Sequence, residues 1–193
     1  MTQDLNCDSG PYDCIIFYRW FTADGLYERG RIMARLVAEI LERMNVRVWL
    51  DQHEMSQSAT REQVIQGIRR VFAHVQSVII LAAPGDWQRF TDEEDIHRWE
   101  WELSLNSADK PVWLLQHGFQ PGPNTQCHRT DLASRLELFD LRLSQLVLQR
   151  KIHIRTISTG NIDHVMGEIA KNTSRSVDRP LVHLSAPRRK LVA

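Results

Sequence analysis

Ser77-Val78-Ile79-Ile80-Leu81-Ala82-Ala83 is an uncharged run of small and apolar residues, stopped by Pro84-Gly85. A strand with one face in water alternates polar and apolar residues. A run that is apolar throughout fits a strand buried on both faces, as in a parallel sheet covered by helices. The flanking sequence repeats the theme. Upstream, Tyr12-Asp13-Cys14-Ile15-Ile16-Phe17-Tyr18 reads as a first buried strand, followed by a loop through Asp24 and Gly25. Met33, Leu36, Val37, Ile40, Leu41 and Met44 then recur at helical spacing and form one apolar stripe. Val46, Val48 and Leu50 make a second strand that ends at Asp51. A polar loop from Gln52 to Thr60 leads into Val64, Ile65, Ile68, Val71 and Phe72, again on one helical face.

Downstream, Thr91 and Glu94 have the spacing of a capping box. Asp92, Glu93, Glu94 and Asp95 would place negative charge where a helix dipole favours it. The expectation is a helix from Asp92 to Asn106 with an apolar stripe of Ile96, Trp99 and Leu103. Lys110-Pro111-Val112-Trp113-Leu114-Leu115 reads as a fourth strand. The stretch from Gly118 to Asn124 is a loop on its glycine and proline content. Leu132, Leu136, Phe139 and Leu143 predict a helix within Thr130 to Arg150. Lys151 to Ile157 predicts a fifth strand, and Ile162, Val165, Met166 and Ile169 a last helix. Strand and helix alternate five times, which implies right-handed crossovers and an α/β fold with a five-stranded parallel sheet.

The 193 residues hold 24 Lys+Arg and 24 Asp+Glu, with 42% hydrophobic residues, an ordinary globular mixture. No apolar run approaches the ~20 residues that span a bilayer, so no membrane partner is expected. Zero net charge argues against nucleic acid, whose phosphates call for a clustered cationic surface. Cys7, Cys14 and Cys127 show no paired spacing, and the eight histidines include no pair at i, i+4. Reduced thiols, a cytoplasmic location and no metal are the expectation. Three segments are distinguished: a polar leader at 1–10, one domain at 11–172, and a basic tail at 173–193.

Ligands of open parallel α/β sheets bind outside the carboxyl ends of the strands. Those ends carry Tyr18, Arg19, Trp20 and Asp24, then Asp51, then Pro84-Gly85-Asp86-Trp87, and finally His117-Gly118-Phe119. Rings for stacking, a guanidinium and carboxylates suit a nucleotide. No glycine-rich phosphate loop is present, which disfavours an ordinary dehydrogenase or NTPase.

Several of these segments, taken in order, resemble one family. Tyr12 to Arg19 resembles the first box of TIR (Toll/interleukin-1 receptor) domains. Val46-Arg47-Val48-Trp49-Leu50-Asp51 is similar to their second strand where it enters the BB loop. Trp99-Glu100-Trp101-Glu102-Leu103 resembles the segment bearing the catalytic glutamate of NAD-cleaving members. Leu81 to Gly85, Asp95 to Trp99 and His117 to Phe119 are similar to the NADase members of axon-degeneration and bacterial antiphage-defence type. The resemblance spans about Pro11 to Asn172 and implies a flavodoxin-like TIR fold. It further implies cleavage of NAD+ at the nicotinamide-ribose bond, to ADP-ribose, cyclic ADP-ribose or an isomer. Glu102 takes the catalytic position; Tyr18, Arg19, Trp20, Asp51 and Trp99 are the residues expected to contact NAD+. No cofactor beyond NAD+ as substrate is implied. Self-association through TIR-TIR contacts is, although the stretch resembling the BB loop, Gln52 to Ala59, carries no glycine. The product would serve as a signal for a separate effector protein. A TIR adaptor that binds its own kind without chemistry is the alternative.

One carboxylate is enough for that reaction. Glycosidases use a second carboxyl to protonate the leaving group. Nicotinamide in NAD+ is a cationic pyridinium and departs neutral, so only the developing ribose cation needs stabilisation. Glu102 would sit at the margin of the Ile96, Trp99, Leu103 stripe, half-sheltered, while Glu100 reads as a surface charge. Trp99 reads more readily as a core residue than as a contact.

Overall fold

The computed structural model describes residues 12–20, 29–51, 59–118 and 128–173. The leader, Asp24, the loop from Gln52 to Ser58, the loop beyond Gly118 and the tail beyond Thr173 lie outside the described residues. The element order is β1 (Cys14–Phe17), α1 (Arg29–Arg43), β2 (Val48–Trp49), α2 (Arg61–Phe72), β3 (Ser77–Ala82), α3 (Ile96–Asn106), β4 (Val112–Gln116), α4 (Arg129–Glu137), α5 (Leu141–Gln149), β5 (Ile152–Thr156) and α6 (Ile162–Thr173). The five strands form one sheet in the order β2-β1-β3-β4-β5, every pair parallel. This is the flavodoxin-like order. Among the described residues no helix is long and apolar enough to cross a membrane.

Helices cover both faces of the central strands. Alternate residues of β1, β3 and β4 divide between two cores. Cys14, Ile16, Ile79, Leu81, Trp113 and Leu115 pack with α1 and α6, through Val37, Leu41, Met166 and Ile169 among others. Ile15, Phe17, Val78, Ile80, Val112 and Leu114 pack with α2 to α5, through Ile68, Trp101, Leu132 and Leu143 among others. The uncharged run at Ser77–Ala82 is buried at every position. In α1 the glycine at Gly30 is a contact, not a hinge: a Cβ built there would lie 1.7 Å from the Arg19 carbonyl oxygen. The helix therefore presses directly on the backbone where β1 ends.

Three expectations are corrected. The helix expected from Asp92 begins at Ile96; its N-cap is Asp95, whose side chain accepts from the Arg98 N–H, while Thr91 to Glu94 form turns. The region Thr130 to Arg150 is two helices, because Asp140 caps a second start by accepting from the Leu143 N–H at 3.0 Å. The third concerns the buried face of α3. His97, Glu100, Trp101, Ser104 and Leu105 are buried, whereas Ile96, Trp99 and Leu103 are only half-buried. The inward face is turned by one residue, about 100°, from the purely apolar stripe.

Candidate active site

The chain leaves β1 for β2 on one side and returns across it to β3 on the other, so the topological switch lies between β1 and β3. A cavity of about 390 Å³ opens there. Tyr18, Arg19 and Trp20 reach it from the end of β1, Asp51 from the end of β2, and His97 and Glu100 from the first turns of α3. Arg61 on α2 and Arg89, Asp92 and Glu94 before α3 line its outer part.

Asp51 organises one wall. Its carboxylate accepts from the Tyr18 hydroxyl on one oxygen and, at 2.8 Å, from the Trp20 indole N–H on the other. Burial, and then the neighbouring Asp51 charge, raise the Tyr18 hydroxyl far above its usual range, so it stays protonated and donating.

Arg19 forms the floor. Its guanidinium donates to both oxygens of Asp95, at 2.7 and 3.2 Å, and to the Asp86 carbonyl at 3.0 Å. The pair is shut off from solvent, with Arg19 8% and Asp95 2% exposed in their side chains. Asp86 lies beside it, its carboxylate accepting from the Ala83 N–H at 2.7 Å and pushed up to about 6, chiefly by burial.

Glu100 makes the opposite wall. One oxygen, Oε2, lies 2.9 Å from His97 Nδ1. The Trp101 indole, which can only donate, points at His97 Nε2 over 3.2 Å. With the indole proton directed at Nε2, a neutral ring carries its own proton on Nδ1, which faces Glu100, while the Leu81 carbonyl also faces the ring as an acceptor. Burial, followed by the Arg19 charge, lowers His97 to about 3, so the ring stays neutral. Phe90 packs edge-on to Trp101 at 5.5 Å and fixes the cluster. Glu100 is raised well above the usual carboxylate range, first by burial and then by the charges of Asp51 and Asp95. Such a carboxylate, desolvated and adjacent to another, favours a cationic group placed against it.

Of the residues expected at the site, Tyr18, Arg19, Trp20 and Asp51 are brought together around the cavity. Glu102 and Trp99 are not. Glu102 lies on the far side of α3, bound to Arg142 at 2.8 Å with Arg98 at 4.0 Å. Trp99, half-buried, packs against the edge of the second core beneath Arg69, whose guanidinium carbon is 5.6 Å from the ring centre. Glu100, expected as a surface charge, is 6% exposed and lines the cavity. The cause is helical geometry: residues two apart differ by about 200° around the axis, so Glu100 and Glu102 cannot share a face. The signal for Glu100 was present as His97, Glu100, Trp101 and Ser104, an i, i+3, i+4, i+7 set whose polar members disguise a buried face.

No family model matches the sequence, and no curated protein matches it. Among the described residues no group of three or more His, Cys, Asp or Glu is placed to hold a metal ion.

Proposed function

We propose that this chain is an NAD+ nucleosidase of TIR type, in which Glu100, rather than Glu102, faces the ribose carbon whose bond to nicotinamide breaks. The observation that carries the proposal is the buried Glu100 carboxylate in a cavity whose other walls are Tyr18, Trp20 and Asp51. The pyridinium of NAD+ is a planar cation; an aromatic wall and two carboxylates favour it over a neutral base.

The bond from C1′ to the pyridinium nitrogen breaks heterolytically. Its electron pair neutralises the ring, nicotinamide leaves, and positive charge develops on the ribose. Burial holds a proton on Glu100 in the free protein; the pyridinium cation bound beside it favours loss of that proton to solvent, and the resulting carboxylate stabilises the developing charge from a fixed position out of water. Water then adds to C1′ and loses its proton to give ADP-ribose; attack by an adenine nitrogen in its place closes the cyclic product. Asp51 is occupied by Tyr18 and Trp20 and shapes the wall, while Arg19 is consumed by Asp95 and holds the floor.

The test is incubation of concentrated protein with NAD+, with products separated by chromatography and identified by mass. Stoichiometric nicotinamide with ADP-ribose or its cyclic form is expected. Intact NAD+ alongside cleaved purine or pyrimidine nucleosides would move the assignment to another N-glycoside. Unchanged NAD+ and nucleosides at every protein concentration would favour the adaptor reading.

A further inference from the structure

We infer that His97 is a positioning residue for Glu100: as a neutral Nδ1–H donor, with its tautomer set by the Trp101 indole, it fixes one carboxylate oxygen and leaves the other for the substrate. The inference rests on the reading of Glu100 given above, and adds the residues that would make that carboxylate usable.

The geometry is a directed chain. Trp101 Nε1–H donates to His97 Nε2, and His97 Nδ1–H donates to Glu100 Oε2, over 3.2 and 2.9 Å. Every link is buried: His97 is 4%, Trp101 1% and Glu100 6% exposed. A donor at Oε2 stabilises the charged carboxylate against its desolvation. It also prevents rotation of the carboxylate, so Oε1 keeps one direction. Without the indole donor the imidazole proton could sit on either nitrogen. On Nε2 it would leave Nδ1 a lone pair facing Glu100, a repulsion where an attraction is needed.

The other groups facing this pair come from each neighbouring element and do not replace it. Tyr18 at the end of β1 is committed to Asp51. Asp51 at the end of β2 and Asp95 at the start of α3 add negative charge and oppose ionisation of Glu100. Arg19 favours ionisation from a distance while bound to Asp95. The Leu81 carbonyl on β3 faces the His97 ring as a second acceptor, and His117 at the end of β4 adds a lesser influence. His97 is the side chain that donates a hydrogen bond to Glu100 among the described residues.

The experiment compares His97→Leu, His97→Asn and Trp101→Phe with the parent chain, each checked for folding by circular dichroism. Asn can offer its amide N–H where Nδ1–H stood; Leu cannot. Two readouts are taken. The first is the Glu100 carboxyl band in infrared difference titration, with Glu100→Gln as the blank, which needs no turnover. The second is the pH profile of NAD+ cleavage. In His97→Leu the Glu100 titration should move upward by about one pH unit and kcat should fall about ten- to a hundredfold with KM little changed. His97→Asn should restore most of both, and Trp101→Phe should fall between.

A Glu100 titration that is the same in the parent, the Leu and the Asn variants would overturn the inference, whatever happens to the rate. Absence of NAD+ cleavage by the parent protein would overturn the reading of the reaction instead, while the infrared titration would still decide the role of His97.

Discussion

Replacing Gly30 by alanine asks whether the end of β1 is held by the contact described above. Gly→Ala inside a helix ordinarily stabilises by about 1 kcal/mol, because glycine gives up more backbone freedom on folding. Here the added Cβ would lie 1.7 Å from the Arg19 carbonyl oxygen and 2.8 Å from its carbon. Ordinary carbon-to-oxygen contacts lie at about 3.3 Å or more, so α1 and the Arg19 backbone must part by roughly 1.5 Å. That segment cannot drift freely. Arg19 is tied to Asp95 and the Asp86 carbonyl, and Trp20 to Asp51. Overpacking of this kind costs about 1–3 kcal/mol, and more where a buried ion pair is disturbed. The expected net effect of Gly30→Ala is destabilisation by about 2–4 kcal/mol, lowering Tm by roughly 5–15 °C for a chain of this size. Gly167 supplies the control, since it is also helical but a Cβ there would meet nothing within 4 Å. Gly167→Ala should raise stability by about 0.5–1 kcal/mol. Urea unfolding of both variants beside the parent reads the two signs together. A Gly30→Ala protein as stable as the parent would show that α1 does not press on the Arg19 backbone.

Other consequences follow from the buried charges. Glu100 holds its proton to higher pH in the folded chain than in the unfolded one, so the folded state binds more protons across that interval and stability falls as pH rises through it. Glu100→Gln should therefore be more stable than the parent at neutral pH by urea unfolding, and equally stable below the ordinary carboxylate range. His97 has the opposite sign: its folded value of about 3 lies below the ordinary 6.5, so the unfolded state takes up a proton first. Its contribution is complete above 6.5 and is lost as pH falls towards 3, a loss on the order of 5 kcal/mol at the limit. His97→Asn should shed that part of the acid sensitivity. Removing the floor by Arg19→Met leaves the buried Asp95 charge with the Arg98 N–H and, at 3.7 Å, the Arg89 guanidinium, at a cost of about 3 kcal/mol. Adding Asp95→Asn, which can still cap α3, should recover much of it, and a double-mutant cycle by thermal unfolding measures the coupling.

The sheet was legible because parallel strands covered on both sides carry no alternation, and Ser77–Ala82 states that in consecutive residues. The strand ends were legible too, since topology dictates where ligands lie; Tyr18, Arg19, Trp20 and Asp51 followed from position alone. The glutamate was not, and the reason is physical. Hydrophobic periodicity finds a buried face by its apolar residues, but the inward face of α3 carries His97, Glu100 and Ser104, each satisfied by a specific partner. The half-buried Ile96, Trp99 and Leu103 outweighed them in the pattern. Nor does local sequence reveal that Arg142, about forty positions on, binds Glu102 on the opposite side of the helix.

The proposed placement of Glu100 at the breaking bond is read out by nicotinamide release from NAD+, measured for the parent chain, Glu100→Gln and Glu102→Gln at equal folded concentration. Glu100→Gln should lose about a hundred- to a thousandfold of the rate, as expected when preorganised charge stabilisation is removed, while Glu102→Gln should retain activity within about threefold, having lost only a partly exposed ion pair with Arg142. An active Glu100→Gln protein, or an inactive Glu102→Gln protein of unchanged stability, would contradict the account.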